Sequence, residues 1–393
     1  MNSRVLIVQL SGDFREAWRL REASGTEQYY GHGYILDQLA ALAQAHGEAG
    51  FLCAQAEPYQ EKLPSGATVL GAGGNPYVDP RPVIAAIERF APTHLVVQGP
   101  MTPLVRWGMR AGIPTACVMA DSFRISWLRR WWRFGRLFQL LNDPAVSLVA
   151  NHGVNAARHL VDLGVRADKI VPWDFPHVRT PDQFAVRAAP AGPTFELFYI
   201  GSVEANKGVG DLIEAVAQLK SRLDLRLRIA GKGHVGQFTT LAQRLGVADR
   251  VEFLGPVPNG EVPGMMRAAD LVVVPSRHAF SEGLPLTLYE ALASRTPTVA
   301  SDHPMFAGHL RDGESAAIFP GGNVLALAAR IADVLRDPAL YARLSEGSAA
   351  AWHRMQIPVK WGVMIDRWVR DTPEDRAWLA CHSLAGVAAG EVA

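Results

Sequence analysis

The chain has 393 residues, 49% hydrophobic and 20% charged, which excludes a disordered, fibrous or coiled-coil protein and exceeds what one compact core organises, so two α/β-sized domains around a cleft are expected. Lys and Arg number 39 against 38 Asp and Glu, and a formal charge of +1 offers no global field for nucleic acid. The three cysteines, Cys53, Cys117 and Cys381, form no C-x-x-C pair, which removes a disulfide framework and a cysteine zinc site and points to a reducing, cytoplasmic setting. The apolar run Val5 to Leu10 is too short for a signal-peptide core, and no apolar stretch approaches the roughly 18 residues of a membrane span.

Short β-branched runs alternate with helix-length periodic segments throughout, the pattern of parallel sheets covered by helices. In the first half, strands are predicted over Arg4 to Leu10, Gly50 to Ala54, His94 to Gln98, Pro114 to Met119, Val146 to Ala150 and Lys169 to Trp173. Helices are predicted over Tyr34 to Ala45, where Ile35, Leu36, Leu39 and Leu42 share a face, and over Val83 to Phe90. Further on, ISWLRRWWRFGRLFQLL (Ile125 to Leu141) sets Trp127, Trp131, Phe134, Phe138 and Leu141 on one side of a helical wheel, with Arg129, Arg133 and Arg136 on the other and Arg130 at the edge. An aromatic face backed by arginines suits either the first domain's sheet or the surface of an anionic bilayer.

The stretch Arg179 to Thr194, rich in Pro and Ala and without apolar period, reads as the linker. A second alternating series follows, with strands over Glu196 to Ile200, Leu225 to Ala230, Arg250 to Leu254, Leu271 to Val274, Thr298 to Ser301 and Ala316 to Phe319. Its helices are predicted over Gly210 to Lys220, Phe238 to Leu245, Pro285 to Ser294 and Val324 to Leu335. The expected division is a first domain over 1–178, a second over 195–355 and a helical tail over 356–393, carrying Trp361 and Trp368, that crosses back onto the first domain.

The most informative stretch is VVVPSRHAFSEGLPLTLYEALASRTPTVASD (Val272 to Asp302). A buried strand runs into a polar loop, and Pro285 suits the first turn of a helix. The N–H groups of Gly283, Leu284 and Leu286 would leave that helix N-terminus as an anion site suited to a diphosphate. Glu282 precedes the terminus and Glu290 lies eight positions on, so two carboxylates frame one phosphate site. The plainer alternative is a glutamate complementing a helix dipole and a second one in solvent.

This E-x7-E pair resembles the signature of retaining, nucleotide-sugar-dependent glycosyltransferases of GT-B fold (glycosyl transferases group 1). The family's other motifs occur in its order: YIGSVEANKG (Tyr199 to Gly208), RIAGKGH (Arg228 to His234) and FLGPV (Phe253 to Val257). The resemblance implies two Rossmann-like lobes, with acceptor on the first and nucleotide-sugar donor on the second. It also implies that Glu290 binds the ribose hydroxyls, Glu282 the donor sugar near the reacting carbon, and Lys207 the diphosphate. Gly231 and Gly233 fall in the donor motif, and Ser202 stands where the family usually carries an arginine. Gly231, Gly233 and Gly236 also spell G-x-G-x-x-G, but no acidic residue ends the following strand as a dinucleotide fold requires.

In the first domain, SGTEQYYGHG (Ser24 to Gly33) resembles the family's G-G-x-E loop, with Gly25 offering an amide to the donor, and Asp121 follows Ala120 where the family commonly places His-Asp before the acceptor. WDFPH (Trp173 to His177) replaces the usual N-G, and His303-Pro304-Met305-Phe306 replaces a Gly-Gly. No D-x-D occurs, so neither metal nor other cofactor is expected. The implied activity is a retaining, metal-independent hexosyltransferase acting on a polyprenyl-diphosphate-linked or other acceptor glycan of cell-surface polysaccharide synthesis. Alternatives are a GT-B sugar-nucleotide epimerase or phosphorylase and a catalytically weak sugar-nucleotide-binding partner subunit.

Overall fold

A computed structural model describes residues 3–27, 31–123 and 127–390. The chain divides into two compact units, 1–176 with 282–284 and 357–393, and 177–281 with 285–356.

In the first unit, β1 (Ser3–Gln9), α1 (Phe14–Ser24), α2 (His32–His46), β2 (Gly47–Cys53), β3 (Tyr59–Lys62), β4 (Thr68–Gly71), α3 (Arg81–Phe90), β5 (His94–Gln98), α4 (Thr102–Arg110), β6 (Thr115–Met119), α5 (Trp127–Leu141), β7 (Val146–His152), α6 (Val154–Asp162) and β8 (Ile170–Trp173) follow one another. They build an eight-stranded sheet of order β3-β4-β2-β1-β5-β6-β7-β8, parallel except where β3 runs against β4. Val5 to Val8 of β1 are fully buried, as a central strand covered by helices on both faces requires. The edge strand β3, its neighbour β4 and the helix α1 have no counterpart in the predicted elements: α1 buries only Phe14, so it carries no apolar period to read.

The second unit runs β9 (Thr194–Ile200), α7 (Val209–Leu219), β10 (Asp224–Ala230), α8 (Val235–Arg244), β11 (Val251–Gly255), α9 (Val262–Ala268), β12 (Leu271–Val274), α10 (Leu286–Ala293), β13 (Thr298–Ser301), β14 (Ala317–Phe319), α11 (Val324–Arg336) and α12 (Pro338–Met355). Its six strands are parallel, in the order β11-β10-β9-β12-β13-β14. The segment read as a linker belongs to this unit: the Arg187 backbone N–H donates to Ser345 Oγ (2.8 Å) and its guanidinium to Arg267 O (2.6 Å). Part-buried polar bonds, which composition does not show, fasten it.

The tail forms α13 (Trp361–Arg370), α14 (Pro373–Cys381) and α15 (Leu384–Gly390) and belongs to the first unit. Asp174 N–H donates to Val359 O (3.0 Å), Trp368 Nε1 to Ser147 Oγ (2.8 Å), and His46 Nε2 meets Asp366 Oδ1 at 2.8 Å.

The aromatic face of α5 is corrected in its C-terminal half. Leu137 and Leu141 are fully buried, Phe138 nearly so, and Phe134 and Phe138 meet Phe123 edge-on, while Arg136 is exposed. This half packs on the first unit's own core. The side chains of Trp127, Arg129, Arg130, Trp131 and Arg133, on which a bilayer face would rest, lie outside the described residues, as do Ile125 and Ser126. Among the described residues no helix is long and apolar enough to cross a membrane.

Candidate active site

In the second unit the strand order reverses at β9 and β12, and open parallel sheets take ligands outside the carboxyl ends of strands at such a reversal. Ser202 and Lys207 follow β9, Gly231 and Gly233 follow β10, and the loop to α10 follows β12. A Cβ on Gly231 (φ 141°) would stand 1.8 Å from Gly201 O, and one on Gly233 (φ 145°) 2.4 Å from Val203 O. The two loops are bonded backbone to backbone, Val203 N–H to Lys232 O (2.8 Å) and His234 N–H to Val203 O (2.8 Å). Both glycines therefore answer to this close approach, whatever else they bind.

Lys207 ends a single 3₁₀ turn, Ala205–Lys207, closed by Gly208, whose added Cβ would stand 2.1 Å from Pro275 O. The loops after β9 and β12 are thus in contact, and Arg277 completes the join: its N–H donates to Asn206 O (2.9 Å), and its guanidinium grips both oxygens of the buried Asp211. The Lys207 ammonium stands 4.2 Å from the Phe280 ring centroid. Ser202 contributes its carbonyl, which accepts the Tyr199 hydroxyl (2.7 Å). Sequence reasoning missed Arg277, although its place directly after a buried strand was a signal.

Pro285 is the N-cap of α10 in extended conformation, one position before the first turn expected for it. Among the described residues no backbone acceptor meets the N–H groups of Gly283, Leu284 or Leu286. Glu290, within α10, has an oxygen, Oε1, that is buried without a partner. Burial raises its carboxyl from the ordinary 4.5 to about 7, offset in part by Arg179. The folded protein thus holds a proton that the unfolded chain releases. That contribution to stability is complete below about 4.5 and is lost as the pH rises to about 7. Glu290→Gln is expected to flatten this fall, measured by urea unfolding across that range; an unchanged slope would show that another group titrates.

The first unit includes Glu282–Leu284. Glu282 is buried at 6% exposure. An added Cβ on Gly283 would stand 2.7 Å from Ala120 O, and one on Gly153 would stand 3.0 Å from Leu284 Cβ, so this turn is seated on the carboxyl ends of β6 and β7. Asp121 is beside it, and burial pushes its carboxyl above the usual range. Gly25 is not with them. It is the C-cap of α1 (φ 66°), and its N–H donates to Arg21 O (2.8 Å), so the amide expected to face the donor closes a helix instead. Also unforeseen is the pair His278 Nε2 and Asp302 Oδ1 (2.6 Å), the latter also accepting the Gly321 N–H (2.8 Å). Among the described residues no group of three or more His, Cys, Asp or Glu side chains is placed to hold a metal ion.

Two parallel-sheet units with polar loops at the carboxyl ends of their strands make up the GT-B fold. Residues 183–350 match the family model described as "Glycosyl transferases group 1", and the second unit is a domain of that family. The chain is 33% identical over 168 residues to the phosphatidyl-myo-inositol mannosyltransferase of Mycobacterium leprae, covering 42% of this chain and 43% of that one. It is 34% identical over 227 residues to the D-inositol 3-phosphate glycosyltransferase of Mycolicibacterium smegmatis, covering 54% and 50%. The chain thus spans about half the length of these curated relatives. The structure of Anabaena HepE in complex with UDP-glucose superposes with a TM-score of 0.68 at 18% identity, covering 95% of this chain and 99% of that one.

Proposed function

We propose that this protein transfers a sugar from a nucleoside-diphosphate sugar to an acceptor hydroxyl with retention at the anomeric carbon. The observation that carries the reading is Glu290: a half-buried side chain with a buried, unpartnered Oε1, on the helix before which, among the described residues, the Gly283, Leu284 and Leu286 N–H groups meet no backbone acceptor, matches a ligand that brings hydroxyl donors and an anion together. In this reading Glu290 accepts the ribose hydroxyls, while Lys207 and the amides of Gly283, Leu284 and Leu286 hold the diphosphate. Glu282 holds the sugar near the reacting carbon, and Asp121 faces the acceptor.

As the bond from the anomeric carbon to the phosphate oxygen breaks, negative charge gathers on the diphosphate, where fixed cations and oriented amides stabilise it. The acceptor oxygen bonds to the same face of that carbon, and its proton passes to the departing phosphate oxygen. No strong protein base is required, consistent with Ala120 in place of a histidine. The reaction is expected to survive EDTA, since the sequence has no D-x-D.

Thermal shifts with UDP, GDP and ADP, followed by sugar derivatives of the nucleotide that binds, identify the donor. Release of nucleoside diphosphate only when acceptor is added establishes transfer. Nucleotide binding without release would favour the partner-subunit reading that Ser202 and Ala120 suggest, and interconversion of the donor sugar alone would favour an epimerase. A lipid-linked acceptor is consistent with the name of the mannosyltransferase relative, and co-sedimentation with anionic and neutral liposomes tests it.

Lys207→Ala is expected to weaken sugar nucleotide and free nucleoside diphosphate alike, by about 1.5 to 3 kcal/mol for a charged hydrogen bond. Ser202→Arg is expected to tighten both. Calorimetry checks this; wild-type affinity in Lys207→Ala would place the diphosphate elsewhere.

A further inference from the structure

Asp121 has no regular structure to hold it, since β6 ends at Met119. Its position is set by a side chain 30 residues away. Asn151, on β7 and fully buried, accepts the Asp121 N–H at Oδ1 (3.2 Å) and donates from Nδ2 to Asp121 O (3.0 Å). The same amide accepts the His152 N–H (3.0 Å) and donates to Ala156 O (2.9 Å). Two bonds accepted and two donated exhaust an asparagine side chain, so Asn151 has one orientation and no capacity left for a ligand. Two residues on, the Phe123 N–H meets His159 Nδ1 at 3.3 Å. The segment is held by its backbone at both ends. What it presents is unclaimed: among the described residues no protein group bonds the Asp121 carboxylate, and the buried Ser122 hydroxyl has no partner.

The adjacent carbonyl is that of Ala120, against which Gly283 is seated so closely that a methyl group there would stand 2.7 Å away. A shift of the β6 end therefore moves the seat of Glu282. We propose that Asn151 is the positioning residue of the acceptor side, fixing the Asp121 carboxylate for the acceptor hydroxyl and, through Ala120, the turn that carries Glu282. The inference rests on the reading that Asp121 faces the acceptor. Asparagine is the side chain this role requires: aspartate has the same shape but cannot donate to Asp121 O and Ala156 O, and it would bury a second negative charge beside Asp121.

The test compares Asn151→Asp and the smaller Asn151→Ser with wild type and Asp121→Asn. Amide hydrogen exchange of the full chain is expected to quicken at 120–123 and 282–284 in both Asn151 variants. UDP affinity is expected to fall by less than turnover does, because Lys207, Leu286 and Glu290 lie in the other unit and only the Gly283 and Leu284 amides move with the turn. UDP release from UDP-glucose, with D-inositol 3-phosphate or water as acceptor, is expected to fall about a hundredfold in kcat/KM, as for a reacting group displaced by about 1 Å. Added to Asp121→Asn, the Asn151 substitution is expected to cost less than it does alone, the remainder acting through the turn that carries Glu282. Unchanged exchange at these segments, additive losses, or a matching loss of UDP affinity overturns the positioning role. If Asp121→Asn itself turns over like wild type, the reading of Asp121 fails and the proposal with it. Asp121→Asn inactive beside a fully active Asn151→Asp refutes the positioning alone.

Discussion

Replacing Glu282 by glutamine is expected to lower kcat by on the order of a hundredfold or more, while Glu290→Ala mainly raises donor KM. Glutamine fills the same volume, so a side chain buried at 6% exposure loses charge without leaving a cavity. The anomeric carbon gains positive character as the phosphate departs, and a carboxylate nearby stabilises that state more than the ground state, which places the loss in kcat. Glu290 touches the ribose in this reading, and the ribose is unchanged by the reaction. Binding energy there is the same in ground and transition states and falls on KM. Steady-state kinetics of folded variants decide between them, and a near-normal kcat in Glu282→Gln would remove Glu282 from the chemistry.

Gly231→Ala is expected to destabilise the protein by about 3 kcal/mol or more, read from urea unfolding. The Cβ would stand 1.8 Å from Gly201 O at a φ of 141° that side chains avoid. Relief by moving the carbonyl would break the Gly201 N–H to Ala230 O bond (3.1 Å), and the Gly231 N–H to Gly255 O bond (2.8 Å) would go with any shift of Gly231 itself. Gly236 is the control. It has no heavy atom within 4 Å of an added Cβ and lies in α8, so Gly236→Ala is expected to be neutral or to stabilise by about 0.5 to 1 kcal/mol. A small effect at Gly231 would mean that the loops after β9 and β10 do not approach as described.

The contrast within one G-x-G-x-x-G run shows what a motif carries. Its spelling is the same at 231, 233 and 236, but only the first two positions are closed by a neighbouring backbone.

Central strands were legible because burial on both faces leaves them an apolar interior: His94–Gln98, Leu271–Val274 and Thr298–Ser301 have the predicted bounds. Glu282, Glu290 and Lys207 were legible as candidates through the order of the motifs that carry them, and Asp121 through its place after a strand. The exposed edge strand β3 and the polar α1 were not, since a segment with little to bury has no periodicity to display.

By itself, then, the sequence determined the alternation of strand and helix, the two sheets and the candidate side chains near each strand's carboxyl end, all properties of residues a few positions apart. Only the tertiary structure decided that Phe134 and Phe138 turn to Phe123, that Gly25 spends its amide on Arg21, and that Arg179 to Thr194 is fastened to the second unit. It alone paired Asn151 with Asp121 across 30 residues and gave Glu282 to the first unit. The physical reason is that local periodicity records which face of a segment is apolar, whereas the partner that satisfies a polar group is chosen by whichever chain the packed sheet brings within hydrogen-bonding distance.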